Sequence, residues 1–230
     1  MGKDDKGLEA RTVNETVYIR LRDHILAGGA AIGQRLDERE VSNQLGVSRT
    51  PVREAISKLA ADGIVEYRPH QGNYVRRLTV KEVNDLYVVR IELEALAVRL
   101  SMEKIDTAFL HTLSEIVDAT QAAMLAGDLV EFAQRDRQMH ALLVRTADNS
   151  ALTDNLGRIE HLIQMARNLA NQRPGLPETT DEQRHALLDA FKRGDTGKAV
   201  GAMRRHIESV REAIVAELES QTTHVLKPVV

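Results

Sequence analysis

The chain has 230 residues, 28% of them charged, and a formal net charge of −3. It contains no cysteine, which excludes disulfides and thiolate metal sites and suits a reducing cytoplasm. No apolar run is long enough to span a bilayer, and the length is enough for two small domains.

Residues 1–10, MGKDDKGLEA, lack the apolar core of a signal peptide and are read as a disordered leader. Val17, Leu21, Ile25 and Leu26 then recur at helical spacing, predicting a helix over 14–27 that Gly28-Gly29 stops. Residues 37–53, DEREVSNQLGVSRTPVR, are the most informative stretch. Asp37 with Glu40 three residues on approximates a capping box. Val41 and Leu45 face inward, and Gly46 can take the positive φ that ends a helix cheaply. Ser48 is placed to cap the next helix, and Pro51 falls in its first turn, where a missing N–H costs nothing. Val52, Ala55, Ile56, Leu59 and Ala60 form its apolar stripe. Arg49, Thr50 and Arg53 lie off the stripe, the two arginines four apart on one face. Two short helices joined by a glycine turn, the second presenting cations at its start, make a helix-turn-helix.

Ile64–Tyr67 and Asn73–Arg77 read as short strands around the turn Arg68-Pro69-His70-Gln71-Gly72. Strand, polar turn and strand after a recognition helix form a wing. Charge is distributed to match. Residues 11–77 carry 11 Lys+Arg against 8 Asp+Glu, whereas residues 78–230 carry 18 against 23.

The runs LGVSRTPVREAISKL and DGIVEYRPHQGNYV resemble the winged helix of the GntR family, and the helical remainder resembles the FadR-type ligand domain. The resemblance covers about residues 12–220. It implies a mainly α fold, with an N-terminal winged helix-turn-helix and a small β-hairpin wing followed by an antiparallel helical bundle. It implies double-stranded DNA as partner, read by a homodimer on pseudo-palindromic half-sites, with Arg39, Ser48, Arg49, Thr50 and Arg53 at the interface and His70 and Gly72 at the wing tip. Arg39 is expected to grip backbone phosphate, and Arg49 and Arg53 to reach base edges or flanking phosphates. A DNA-binding domain over 11–77, an effector-binding and dimerisation domain over 78–222 and a tail over 223–230 follow.

In the second part, Thr79 with Glu82 predicts another capping box. Helices are expected near 80–103, 107–126, 128–147, 149–172, 179–193 and 195–219, with Arg173–Pro177 as a loop. Asp136 and His140 share a helix face, and His206 lies in the last helix. In metal-binding members of the FadR-type domain, an Asp and a His at this spacing join two later histidines around a divalent ion. Asp136, His140 and His206 match that set, for zinc, nickel, iron or manganese. The remaining position falls on Arg184, with His185 displaced by one residue, about 100° around the helix.

Three readings follow. Asp136, His140 and His206 hold a metal; or Arg184, with Arg90, holds an anionic effector such as an organic acid; or Asp136 and Arg184 are a structural ion pair. Arg90 also allows a plain helical pair with Glu94. The function expected is a DNA-binding repressor released by a small metabolite. The alternatives are a metal-dependent enzyme with an appended DNA module, for which no catalytic motif is present, and a ligand-free dimerisation bundle.

Overall fold

A computed structural model describes the backbone of residues 12–170 and 175–225, with side chains up to residue 221. The expected leader 1–10 lies outside these residues, as do Arg173 and Pro174 of the expected loop and the end of the expected tail. Backbone contacts divide the chain into two compact units that meet between Arg77 and Leu78.

The first unit holds α1 (Val13–Leu26), β1 (Arg35–Leu36), α2 (Glu38–Leu45), α3 (Arg49–Ala61), β2 (Val65–Arg68) and β3 (Gly72–Val75). Helix α1 starts where the Thr12 hydroxyl accepts from the Glu15 N–H. It buries Val17, Leu21, Ile25 and Leu26 against α3, whose Val52, Ala55, Ile56 and Leu59 are almost fully buried. Asp37 caps α2, its Oδ1 accepting from the N–H groups of Arg39 at 2.8 Å and Glu40 at 3.2 Å. Gly46 closes α2 in the left-handed region, φ 67° and ψ 32°.

Two expectations need correction here. Ser48 has the extended N-cap backbone, but its side chain makes no capping hydrogen bond, so the hydroxyl is exposed rather than spent on the helix. The wing is also more than a hairpin. β1 pairs antiparallel with β3, Arg35 opposite Tyr74 and Leu36 opposite Asn73, giving a three-stranded sheet in the order β1-β3-β2. Two residues are too few to show a period of two, so β1 carries no sequence signal. The wing turn is Pro69-His70-Gln71. His70 takes φ 61°, and Gly72 opens β3 at φ 103°.

The second unit is all helical among the described residues: α4 (Val80–Met102), α5 (Thr107–Ala126), α6 (Leu129–Ala147), α7 (Ser150–Ala170), α8 (Leu176–Lys192) and α9 (Thr196–Val225). The Thr79–Glu82 capping box forms as expected. Helix α9 packs along α4, α8 and α7; α6 bridges α4 and α5; α5 also lies on α8. Buried Val98, Leu113, Met139, Leu143, Ile163, Leu187, Phe191, Met203 and Ile207 fill the centre. Helix α8 begins at Leu176 rather than 179, because Gly175 turns the chain at φ 81° and Pro177 sits in the first turn. Helix α9 runs to Val225, beyond the expected end at 219 and into the expected tail.

The α2–α3 turn gives a direct test of the fold. A Cβ on Gly46 would meet nothing within 4 Å, so Gly46→Ala carries only the backbone penalty of the left-handed region, about 1 kcal/mol. The expected result is a lower urea midpoint with an unchanged slope.

Candidate functional site

The DNA-facing candidate is built on α2 and α3. Arg39, Ser48, Arg49, Thr50 and Arg53 are all exposed, as is His70 at the wing tip, while Gly72 is half-buried. The capped α2 and its glycine stop set where α3 begins, and the buried stripe of α3 turns Arg49 and Arg53 outward. These two side chains are 62% and 68% exposed. Neither hangs free. Glu38, the first residue of α2, reaches across the turn, accepting from Arg53 Nη2 at 3.1 Å and lying 3.6 Å from Arg49 Nη2. The Glu38–Arg53 pair spans 15 residues and leaves no local pattern in the sequence. On the wing, the Arg68 guanidinium lies 4.2 Å from the Tyr74 ring centroid and donates from Nε to Glu66 at 2.8 Å.

A second candidate lies inside the bundle. It is a buried cluster of charge: Arg90 and Glu94 from α4, Asp136 and His140 from α6, Arg167 from α7, Asp181 and Arg184 from α8, and His206 from α9. Asp136 is its hub. Its Oδ1 accepts from Arg184 Nη1 at 2.9 Å and lies 3.4 Å from His206 Nε2. Its Oδ2 accepts from Arg167 Nη2 and lies 3.5 Å from His140 Nε2. Glu94 accepts from Arg90 Nε at 2.7 Å and pairs with His140 Nδ1. The pair Arg90–Glu94, which sequence spacing allows as an ordinary helical pair, is in fact 3% and 5% exposed and belongs to the cluster.

His185 faces elsewhere. It is 39% exposed, with Nδ1 3.0 Å from its own helix's Asp181 carbonyl. Arg167, absent from the residues expected at this site, does carry a signal in the sequence. It falls within the stripe Ile163, Ala166 and Ala170 of α7, all buried, and a charge on an apolar stripe requires a buried partner.

The electrostatics follow from burial and pairing. Burial alone would raise the Asp136 carboxyl, but Arg167 and the hydrogen bonds from His140 and His206 hold it well below the usual range. Burial works against a charge on His140, yet Glu94 and Asp136 together push its pKa up. Burial dominates at His206 and lowers it to about 4, in spite of Asp136. Three guanidiniums thus face three carboxylates, with the His140 imidazole held toward its protonated form between Glu94 and Asp136. Arg90 Nη1, Arg184 Nε and Arg184 Nη2 are buried without a hydrogen-bond acceptor. Arg184, but not Arg90, also lines a cavity of about 10 Å³, together with Asp136, Arg167, His206, Phe132, Leu176, Pro177, Thr180 and Val210.

The donor atoms of Asp136, His140 and His206 lie within 4.8 Å of one another, as a metal site would need. Their present bonds do not fit a dication. Both Asp136 oxygens are taken by guanidiniums. His140 is pinned between Glu94 and Arg90, whose Nη2 lies 3.3 Å from its Nε2.

A winged helix with outward arginines, followed by a helical bundle with a charged interior, defines a DNA-binding regulator with a ligand domain. Comparison with known proteins agrees. Residues 13–75 match the bacterial regulatory proteins of the gntR family, and residues 85–209 match the FCD domain. The chain belongs to the GntR family of transcriptional regulators, which are not enzymes. It is 28% identical over 202 residues to the HTH-type transcriptional repressor RspR of Escherichia coli K12, covering 88% of this chain and 89% of that protein. It is 32% identical over 206 residues to the "Probable D-xylose utilization operon transcriptional repressor" of Paenarthrobacter nicotinovorans, covering 86% and 88%. Among solved structures, E. coli McbR/YncC superposes with a TM-score of 0.74 at 23% identity, over 93% of this chain and all of that one, which speaks for the fold alone.

The two histidines set opposite limbs of the stability curve. His206, depressed to about 4, stays neutral in the folded state while the unfolded chain takes up a proton below the ordinary imidazole value of 6.5. Stability is therefore lost as pH falls from 6.5 to 4, by about 3 kcal/mol over that window. His140, raised above 6.5, contributes stability below that pH and loses it as pH rises through the folded value. Urea denaturation across this range is expected to show a maximum near pH 6.5, and His206→Asn is expected to flatten the limb between 6.5 and about 4, leaving the loss at its acid end that the depressed Glu94 and Asp136 carboxyls carry.

Proposed function

We propose that the protein is a repressor that binds a pseudo-palindromic operator as a homodimer and is released by a small anionic metabolite, an organic acid, taken up in the bundle. The observation that carries the effector reading is the surplus of buried donors on Arg90 and Arg184. A buried donor without an acceptor costs about 1–3 kcal/mol, and an anion removes that cost. A cavity of about 10 Å³ holds roughly one water. An acid therefore has to widen the cavity, and the first turn of α8 supplies part of its wall through Leu176, Pro177 and Thr180. A ligand that prefers the widened arrangement shifts the population toward it, and that preference is what can be coupled to DNA affinity.

On the DNA side, Arg49 and Arg53 reach base edges or flanking phosphates, Arg39 holds backbone, and Ser48 and Thr50 add hydroxyls at the start of α3. His70 and Gly72 bring the wing tip close to the duplex. If a divalent ion were held, Asp136, His140 and His206 would be its ligands. The bonds already made by these three residues speak against that, and the proposal uses no metal.

Arg49→Ala and Arg53→Ala are each expected to weaken binding to a selected operator roughly tenfold or more while leaving the fold intact by circular dichroism. Wild-type affinity in both would remove α3 from the interface. For the effector, a panel of small carboxylic acids is expected to raise the thermal midpoint and lower operator affinity together. Arg184→Met is expected to abolish both effects, and an acid that bound equally well without Arg184 would overturn the assignment.

A further inference from the structure

Among the described residues, three potential metal ligands cluster in the bundle, from α6 and α9, and α8 packs against them. Asp136, His140 and His206 bring donor atoms within 4.8 Å of one another, close enough to share one ion at bond lengths of about 2.0–2.2 Å. A closed tetrahedral site needs one further ligand. The residue that faces the set from α8 is Arg184. Its side chain is fully buried, and its Nη1 donates to Asp136 Oδ1 at 2.9 Å. Arg167 occupies the other carboxylate oxygen from α7. An ion entering here would have to strip two guanidiniums from Asp136 and then remain beside them and Arg90, where like charges in a poorly polarisable interior repel strongly.

We infer that Arg184 takes the place of a divalent cation in this bundle, its guanidinium supplying both the positive charge next to Asp136 and the contacts to an incoming anion. The division of labour within the one side chain supports this. Nη1 is committed to Asp136, while Nε and Nη2 have no hydrogen-bond acceptor. Those two nitrogens form one edge of the planar fork, the edge that binds a carboxylate through two parallel bonds. Nη2 has Asp181 Oδ1 at 3.6 Å, a charge nearby but too far for a hydrogen bond. A bound ion would offer open coordination positions to any oxygen or nitrogen donor. The guanidinium edge selects a planar anion with two oxygens in one plane, so the site takes carboxylates in preference to neutral sugars or amines.

This deepens the anionic-effector reading and rests on it for the ligand class, but the metal part stands or falls separately. The test uses the full-length protein and Arg184→His, each loaded with excess zinc, dialysed, and assayed for bound metal by mass spectrometry and for thermal midpoint with and without chelator. The wild type is expected to retain no stoichiometric zinc and to show a midpoint indifferent to chelator. Arg184→His, which offers an imidazole in place of the guanidinium, is expected to retain about one zinc per chain and to lose stability when it is chelated. About one zinc per wild-type chain would overturn the inference, and so would a folded histidine variant that gains none. Should the histidine variant fail to fold, Arg184→Gln, which removes the charge and offers an amide oxygen, is read by the same two measurements. A wild type free of zinc that also ignores every acid would sink the effector reading while leaving the exchange of ion for guanidinium intact.

Discussion

The bundle is organised around a single buried carboxylate. Asp136 is 1% exposed and receives guanidinium donors from α7 and α8, with imidazoles from its own helix and from α9 around it. Through His140 it is tied to Glu94 and Arg90 on α4. Among the described residues of the six bundle helices, α5 alone supplies no charged member, and it touches the cluster through Gln121, which donates to Asp181 at 3.0 Å. The apolar core would hold helices together in more than one register, because Leu, Ile and Met tolerate exchange of partners. A carboxylate with two guanidiniums does not, since sliding any contributing helix by a turn leaves a charge unpaired in the interior.

The DNA-facing unit repeats the motif at the surface and with the opposite emphasis. Glu38 stands between Arg49 and Arg53 as Asp136 stands between Arg167 and Arg184. In the bundle the pairing is sheltered and sets the fold. On α2 and α3 it is open to solvent and sets only the direction of two flexible side chains. Exposed pairs of this kind add little to stability. What they do is narrow the range of positions that long side chains explore.

Most of the fold was legible in the sequence because it was written locally. Caps at Asp37 and Thr79, the glycine stop at Gly46 and the stripes of α1 and α3 lie within a few residues of the structure they specify. The failures are those of distance and length. β1 is two residues long and is defined only by its partner β3, some 38 residues away. The start of α8 is hidden in the sequence because Leu176 and Pro177 have loop composition, and only the turn at Gly175 makes them helical. Within the cluster, Asp136, His140, Arg184 and His206 could be named from spacing and resemblance. Arg167 shows only as a charge interrupting the apolar stripe of α7, and the burial of Asp181 and Glu94 is set by neighbouring helices and leaves no local pattern. Arg90 and Glu94 make the point most sharply, because one i,i+4 spacing describes both a solvent-exposed pair and this buried one.

Glu38 has a further consequence for the proposed DNA complex. A cation that approaches a phosphate usually expels the salt ions condensed there, and each such contact steepens the fall of log affinity with log salt by about 0.9. Arg53 and Arg49 arrive already neutralised in part by a carboxylate that belongs to the same chain. If they turn to the duplex as proposed, Glu38 would be left behind close to the phosphates, and a mobile cation would be drawn back to it. Part of the counterion release would thereby be cancelled. The salt slope would then count fewer ionic contacts than the interface contains, and operator binding would persist at ionic strengths where the number of arginines alone would have it fail.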